Sequence, residues 1–487
     1  MRHRSLLPSR EGGVWHQGRR LATAASAAVL IAGLAACATL PPTTQRATPL
    51  AAETLASSQT LAANDSAWPA DGWWRAYNDT QLNGLIEEAL AQSPDIAVAR
   101  LAKAQALAGQ SRAALAPQLD ATTQLQAVKQ SYNNGFPAAF VPKGYDNSAR
   151  ASLNLAYDLD LWGGKRASLA AAVGQAKAAQ VDSQAARLAL SAAVAEAYGD
   201  LARAEADLDA AREALRIRQE TSTLIDNRLN SGLEDRGALL RAQAGVASAR
   251  AQVAAIEESA ALTRNRIAAL LGAGPDRGLT IARPQVSNLK AFGLPADVRV
   301  ALVGHRPDLA SARLRAEAAG QKIKAAKADF YPNIQLSAYF GRQSLGLDAF
   351  SMKGSDIGGI GPAITLPIFN GGALRSAYGA AAADYDAAVA DYDDTLVQAL
   401  REVADAAASS RALSERLGES RQALAASRQA HDIAVARYRG GLSTYLDVLT
   451  AQDALIVNQR AVADLQTRAF LLDIALTRAL GGGFAAA

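Results

Sequence analysis

The chain has 487 residues and a formal net charge of +4. The excess positive charge lies in residues 1–36, where five arginines accompany one glutamate, and the remaining basic and acidic residues balance. A balanced charge gives no reason to expect nucleic-acid binding. The single cysteine excludes an internal disulfide, and four scattered histidines without an HExxH pattern give no ordinary zinc site. We therefore predict no catalytic residue, no metal site, no cofactor and no enzymatic activity.

Residues 1–36 predict a signal peptide, because two arginines precede an uninterrupted run of small and apolar residues too short to span a membrane as a helix. The arginine pair leaves both the general and the twin-arginine export routes open. The run ends in Leu-Ala-Ala-Cys, which resembles the cleavage site of bacterial lipoproteins. We expect Cys37 to carry a covalent lipid, and Ala38 after it to direct sorting to the outer membrane. Residues 37–80, rich in Thr, Pro and Ala, are predicted to form the lipidated N-terminal tether.

Residues 81–117 show a helical pattern and are predicted to form a helical segment at the start of the chain's first half. Two pairs of strands with alternating apolar and polar residues are predicted at 118–162 and 330–370. Each strand has about ten residues, enough to cross a bilayer at a tilt. One apolar and one polar face is typical of a membrane barrel with a wet interior. A soluble β-sandwich has the same period, and the lipoprotein signal favours the membrane interpretation.

Four strands cannot close a barrel, and an open sheet edge in lipid leaves backbone groups without hydrogen bonds. Subunits must therefore combine their strands. Two subunits would give eight strands and little lumen, whereas three would give twelve strands and a channel. The strand count alone predicts an oligomer and favours a trimer if solute passes through it.

Residues 163–272 and 371–481 predict two long helical hairpins, because both stretches lack proline and are rich in alanine. An arm of some 60 residues reaches roughly 90 Å. The two hairpins repeat at an offset of 209 residues, which indicates a tandem duplication. A linker at 273–296, a second-repeat helix at 297–329 and a tail at 482–487 complete the chain. In the second hairpin, an apolar coiled-coil stripe comprises Tyr385, Val389, Tyr392, Leu396, Leu400 and Val403.

The chain resembles the outer-membrane efflux factors of the TolC/OprM type, particularly their NodT-like lipoprotein branch. The resemblance covers residues 70–483, and it implies a homotrimer with a 12-strand barrel in the outer membrane of a Gram-negative bacterium and a 12-helix periplasmic tunnel. The expected partners are a periplasmic adaptor protein, a proton-driven inner-membrane transporter and outer-membrane lipid. The segments that carry it are Trp73-Trp74, Ser-Pro-Asp-Ile at 93–96, Tyr-Asp-Leu-Asp-Leu-Trp-Gly-Gly at 157–164, Phe-Tyr-Pro-Asn-Ile at 330–334, Leu-Pro-Ile-Phe-Asn-Gly-Gly at 366–372, and 437–449.

The resemblance also implies functional residues at the ends of the hairpins. Tyr438 and Asp447 match the positions of the periplasmic gate, where three Asp447 side chains would form a cation-favouring ring. Ser443 and Thr450 stand where some family members carry Arg and Asp. Residues expected to contact the adaptor are Arg228, Gly232, Leu233, Arg437, Gly441 and Leu442. The glycines also suit a plain helix C-cap, which requires a left-handed backbone.

Together these features predict the exit duct of a tripartite efflux pump for small molecules such as drugs. Two alternatives remain open from the sequence: a lipid-anchored periplasmic structural or adaptor coiled coil, and a type I secretion duct. The structural coiled coil leaves the four amphipathic strands unexplained. The sequence does not choose among drug, metal and other substrates.

Overall fold

The computed structural model describes residues 46–57, 59–61, 66–92, 96–133, 135, 137–285, 294, 295 and 298–485. The predicted signal peptide and the lipidation site Cys37 lie outside the described residues. The elements in chain order are α1 (Thr80–Gln92), α2 (Ile96–Ala113), β1 (Gln118–Val128), β2 (Asp146–Asp158), α3 (Gly164–Asn230), α4 (Arg236–Leu270), the single turn α5 (Asp276–Leu279), α6 (Val298–His305), α7 (Pro307–Ala328), β3 (Asn333–Leu345), β4 (Asp356–Thr365), α8 (Ala373–Arg439) and α9 (Tyr445–Ala479).

The described residues pack as two units. The sheet unit comprises the described parts of 46–47, 105–174 and 316–388, and it contains all four strands. The helical unit comprises the described parts of 48–104, 175–315 and 389–485. It contains the tips of both hairpins and three apolar clusters.

The sheet unit contains one antiparallel sheet in the order β1-β2-β3-β4. Its register places Leu119 opposite Leu155, Leu153 opposite Phe340, and Ala338 opposite Ile360. Directly paired residues point to the same side of a sheet. One apolar face therefore continues across both hairpins. The other face carries mostly polar and small residues, among them Asp120, Thr122, Ser152, Asn154, Ser337 and Gly361.

The apolar face is uncovered in this single chain. Phe340 is 68% exposed and Ile360 is 77% exposed. At one end of the strands, the rings of Trp162 and Phe369 are also exposed. Contiguous apolar surface of this kind marks a face that another phase or another molecule covers. An apolar band with aromatic residues at its edge is the pattern of strands that face lipid.

The second strand ends earlier than its alternating pattern predicts. The pattern continues to Leu161, but β2 ends at Asp158, and Asp160 adopts a left-handed backbone with φ of 43°. The carboxylate of Asp160 accepts hydrogen bonds from the backbone N–H groups of Lys165 and Arg166. This side chain therefore satisfies donors at the start of α3, and the last apolar residues belong to the turn before that helix.

The two helical hairpins are copies of each other. Helices α3 and α8 each have 67 residues, and α4 and α9 each have 35. A shift of 209 residues superposes the first and last residue of each pair. A helix of 67 residues is about 100 Å long. The paired helices therefore have equal lengths, as the repeat in the sequence predicts.

The predicted coiled-coil stripe is the buried side of α8. In the helical unit, Val389, Leu396 and Val403 are all at most 1% exposed. Leu396 and Val403 pack in a cluster with Leu302 of α6 and Leu309 of α7. The spacing of three and four residues places one side of a helix against its neighbours.

The paired tryptophans are buried rather than displayed at the surface. Trp73 and Trp74 are 4% and 6% exposed, and they belong to a cluster with Leu82, Ile86 and Ile267. Their burial gives both tryptophans a packing role. It also ties the segment before α1 to the long helices.

The tether is docked from its first described residue onwards. The backbone N–H of Ala47 donates to the Asp386 carboxylate at 3.0 Å, and the N–H of Leu50 donates to Asp393 at 2.8 Å. These acceptors lie seven residues apart on α8. Ala52 is buried in the helical unit. The part of the predicted tether before residue 46 lies outside the described residues.

None of the helices in the described ranges is long and apolar enough to cross a membrane.

Candidate functional site

Both hairpin tips are built from the same backbone motif. After α3, Gly232 has φ of 68°, and the N–H of Leu233 donates to the Arg228 carbonyl at 2.8 Å. After α8, Gly441 has φ of 70°, and the N–H of Leu442 donates to the Arg437 carbonyl at 2.8 Å. This bond pattern closes a helix through a left-handed residue, which glycine adopts without strain. The two glycines thus act as C-caps.

Tyr438 connects the second tip to the first. Its side chain is 1% exposed, and its hydroxyl donates to Oε1 of Glu234 at 2.7 Å. Arg228 covers the other side of the residue: its guanidinium carbon lies 4.6 Å from the Tyr438 ring centroid, and Nη1 donates to the Tyr438 carbonyl at 3.0 Å. We call Arg228, Glu234 and Tyr438 the tip lock.

The tip lock rests on a small apolar cluster. Ile225 and Ala238 from the first hairpin pack with Tyr438, Tyr445 and Val448 from the second. Burial excludes water that would compete for the Tyr438 hydroxyl. A hydrogen bond to a carboxylate contributes about 1.5–3 kcal/mol. The lock is therefore a specific connection between the tips.

The lock keeps its proton at physiological pH. Burial and then the neighbouring Glu234 carboxylate raise the pKa of the Tyr438 phenol above its usual range, because both disfavour the phenolate. The hydroxyl therefore remains a hydrogen-bond donor.

A second polar contact joins the hairpins away from the lock. Arg218 of α3 forms a 2.9 Å ion pair with Asp453 of α9 and donates to the Gly245 carbonyl at 3.2 Å. Asp453 is 54% exposed, so water and salt weaken this pair. It contributes less to the connection than the buried tyrosine does.

Asp447 serves the start of α9. Its Oδ2 accepts from the backbone N–H of Thr444 at 2.8 Å and from the Thr444 hydroxyl at 2.9 Å, as part of a capping box. These bonds lower the pKa of the Asp447 carboxyl. The structure therefore places the two predicted gate residues in different roles, with Tyr438 in the tip lock and Asp447 at a helix start.

Ser443 and Thr450 are the two other residues that the sequence singles out at this tip. The hydroxyl of Ser443 is buried without a hydrogen-bond partner among the described residues. Thr450 donates to the Leu446 carbonyl within its own helix at 2.9 Å. Neither residue reaches Tyr438 through a hydrogen bond among the described contacts.

The outer surface of the tips carries exposed leucines. Leu233 is 63% exposed and Leu442 is 71% exposed, and Leu446 beside them is 67% exposed. Arg437 is also exposed. Exposed leucines at repeated positions, next to a cation, are suited to contact another protein.

The sequence did not identify Glu234. It lies 204 residues from Tyr438 in the chain, so no local pattern connects them. The repeat contains one signal, because the 209-residue offset pairs Glu234 with Ser443, a position already singled out as variable. The described residues contain no cluster of three or more His, Cys, Asp or Glu side chains that would hold a metal.

Comparison with known proteins identifies close resemblances. The chain matches the family model "Outer membrane efflux protein" at residues 85–273 and 299–482. It is 33% identical to the fusaric acid resistance protein FusA of Burkholderia cepacia over 369 residues, which cover 74% of this chain and 69% of that protein. It is 29% identical to the multidrug resistance outer membrane protein MdtP of an Escherichia coli O6:H1 strain, covering 87% and 88% of the two chains.

A solved structure gives the same fold. The outer membrane protein VceC of Vibrio cholerae is 45% identical to this chain and superposes with a TM-score of 0.81. The match covers 86% of this chain and all of that one.

Proposed function

The chain belongs to the outer membrane efflux protein family, and we propose that three copies of it form the exit duct through which a tripartite pump releases small organic molecules. It is an outer-membrane efflux channel with the TolC-type fold, and it works in the outer membrane of a Gram-negative bacterium. The observation that carries the proposal is the sheet, whose four strands share one apolar and one polar face.

The open edges of that sheet support the proposed trimer. In one chain β1 and β4 are edge strands, because the order is β1-β2-β3-β4. In lipid, an edge strand needs a neighbour for its backbone hydrogen bonds. Pairing β4 of one copy with β1 of the next closes a barrel, and three copies provide twelve strands and a lumen. The polar face then lines the lumen.

The proposed partners are a periplasmic adaptor and a proton-driven inner-membrane transporter. Family members act in tripartite pumps with an adaptor and an inner-membrane transporter. The exposed leucines of the tips, Leu233 and Leu442, support contact with the adaptor at this end. The chain itself is proposed to have no enzymatic activity, no resident cofactor and no nucleic-acid partner.

The gate is proposed to depend on the tip lock. Holding Tyr438 on Glu234 fixes the second hairpin against the first, which keeps the tips together in the closed state. Opening would break this bond and expose the apolar cluster beneath it. The exposed Asp447 carboxylates of three copies would add a cation-favouring ring near the same end.

The lipid anchor on Cys37 is proposed as a second attachment to the outer membrane. Its support is the cleavage-site pattern in the sequence and the short distance along the chain, nine residues, to the docked segment that begins at Arg46. Metabolic labelling with a radioactive fatty acid tests it: the wild type should be labelled and Cys37→Ser should not. Equal labelling of both proteins would refute the anchor.

Small organic substrates are favoured by the relatives, whose names refer to fusaric acid resistance and multidrug resistance. Deleting the gene from its own host should raise the accumulation of an amphipathic fluorescent dye in energised cells, and a plasmid copy should reverse the change. As a control, a proton uncoupler should remove the difference between the strains. Equal accumulation with and without the gene would contradict export of this substrate class and favour the secretion alternative.

A further inference from the structure

A pocket of about 660 Å³ opens in the helical unit, away from the hairpin tips. Sites for small molecules commonly have volumes of roughly 300–1,000 Å³. Several of its lining residues come from one side of α3, where Lys177, Val181, Gln184 and Leu188 recur every three or four positions. The pocket therefore has the size of a ligand site and a wall formed by a rigid element.

Part of the wall is apolar and aromatic. Trp73 and Trp74 line it together with Leu90 and Leu314. The indole N–H groups of both tryptophans are buried and have no acceptor among the described residues. The protein encloses these N–H groups, so the wall offers a ring apolar contacts alone.

The shape of the pocket depends on three consecutive glycines, Gly481, Gly482 and Gly483. All three have positive φ, at 91°, 58° and 91°, and all three line the pocket. A Cβ at these positions would overlap the His305 carbonyl, the Leu188 side chain or the backbone of Ala70. The chain can pass here only as bare backbone, which makes this concave wall a specified feature of the sequence.

The pocket is positively charged. Lys177, Arg187 and Arg313 line it, and Asp71 is the one carboxylate among its lining residues. Lys177 and Arg187 are exposed, and the described residues form no ion pair with either of them. Cations gathered in a concave site raise the local concentration of anions.

We propose that this pocket binds an organic anion with an apolar, ring-containing body. The ring packs against the apolar side chains of the wall, and a carboxylate or sulfonate pairs with the cations Lys177 and Arg187 at its rim. The cations attract the anionic group, and the apolar side chains contact the ring. An inorganic anion lacks the ring, and a neutral hydrocarbon lacks the charge. The inference is independent of the gate and of the transported substrate.

Calorimetric titration tests the proposal on the full-length oligomer in nanodiscs of zwitterionic lipid. The probe is naphthalene carboxylate, and its matched neutral partner is naphthalene methanol. The carboxylate should bind saturably, and the alcohol about tenfold more weakly. The double variant Lys177→Gln, Arg187→Gln should weaken carboxylate binding about tenfold. The control Arg212→Gln, an exposed position of the same helix outside the pocket, should leave binding unchanged.

The contradicting results are equally specific. No saturable binding to the assembled oligomer would overturn the proposal and indicate that a neighbouring copy covers the pocket. Equal binding of carboxylate and alcohol would remove the role of the cations. Displacement of the probe by inorganic phosphate at the same concentration would reduce the site to a general anion site, which also overturns it. Binding that survives the double variant would locate the probe elsewhere.

Discussion

The two hairpin tips have the same backbone and different side chains. Gly232 and Gly441 occupy equivalent places with φ of 68° and 70°, and the exposed leucines that follow them are equivalent too. At the same offset of 209 residues, Leu229 corresponds to Tyr438, and Glu234 corresponds to Ser443. The donor and the acceptor of the tip lock thus stand at positions where the copies have diverged.

This divergence has a physical consequence. If both tips carried the tyrosine, neither would offer a carboxylate to accept the hydrogen bond. If both carried the glutamate, neither would offer the hydroxyl that donates it. One hydrogen bond between hairpins requires that one tip donates and the other accepts. After the duplication, both copies retained the residues that shape the turn. The residues that connect the two turns diverged.

We expect Tyr438→Ala to cause the largest loss of stability at the tips. Removing a buried aromatic side chain costs about 3–5 kcal/mol, from the lost apolar contacts, the cavity and the lost hydrogen bond. Hydrogen exchange should show a matching fall in the opening free energy of the amides at both tips. The control Leu229→Ala, at the equivalent half-buried position of the first tip, should cost less. Similar losses from both variants would mean that the lock does not distinguish the tips.

The second prediction concerns the glycine turn that both tips share. Gly232→Ala and Gly441→Ala should each destabilise their own tip by about 1–2 kcal/mol, because a left-handed backbone strains any residue with a Cβ. Nothing lies within 4 Å of the added Cβ at either glycine, so the backbone alone sets the cost. Gly440→Ala is the control, since Gly440 lacks a positive φ. Clearly unequal losses at the two tips would show that the turns are not equivalent.

The smallest effect concerns pH at the start of α9. The bonds from Thr444 lower the pKa of the Asp447 carboxyl below its ordinary value of 3.8. The carboxylate therefore contributes stability above about pH 4, and this contribution is lost as the pH falls through its lowered pKa. Amide exchange at the first turn of α9 should accelerate in that range relative to Asp447→Asn, in which the change is absent. The same acceleration in both proteins would assign it to another group.

Much of the fold follows from local patterns in the sequence. The lack of proline and the stripe that includes Leu396 predict long helices, and the alternating strands predict a sheet with two faces. Contacts between distant segments do not leave such patterns. Glu234 has no local feature that marks Tyr438 as its partner, and the Thr- and Pro-rich segment before Ala52 shows no periodicity that predicts its docking on Asp386 and Asp393. The early end of β2 was also missed from the sequence. The Asp160 side chain accepts a hydrogen bond from the first turn of α3, although the apolar alternation of the strand continues past it.

The most direct test of the tip lock is the single-channel conductance of Tyr438→Phe in a planar bilayer. This variant keeps the ring and removes only the hydroxyl that donates to Glu234. Tyr445→Phe is the matched control, because Tyr445 lies in the same apolar cluster and has no such bond to Glu234. We predict that Tyr438→Phe raises the conductance or the open time severalfold, while Tyr445→Phe resembles the wild type. Wild-type conductance from a folded, inserted Tyr438→Phe protein would contradict the lock as the element that holds the duct closed.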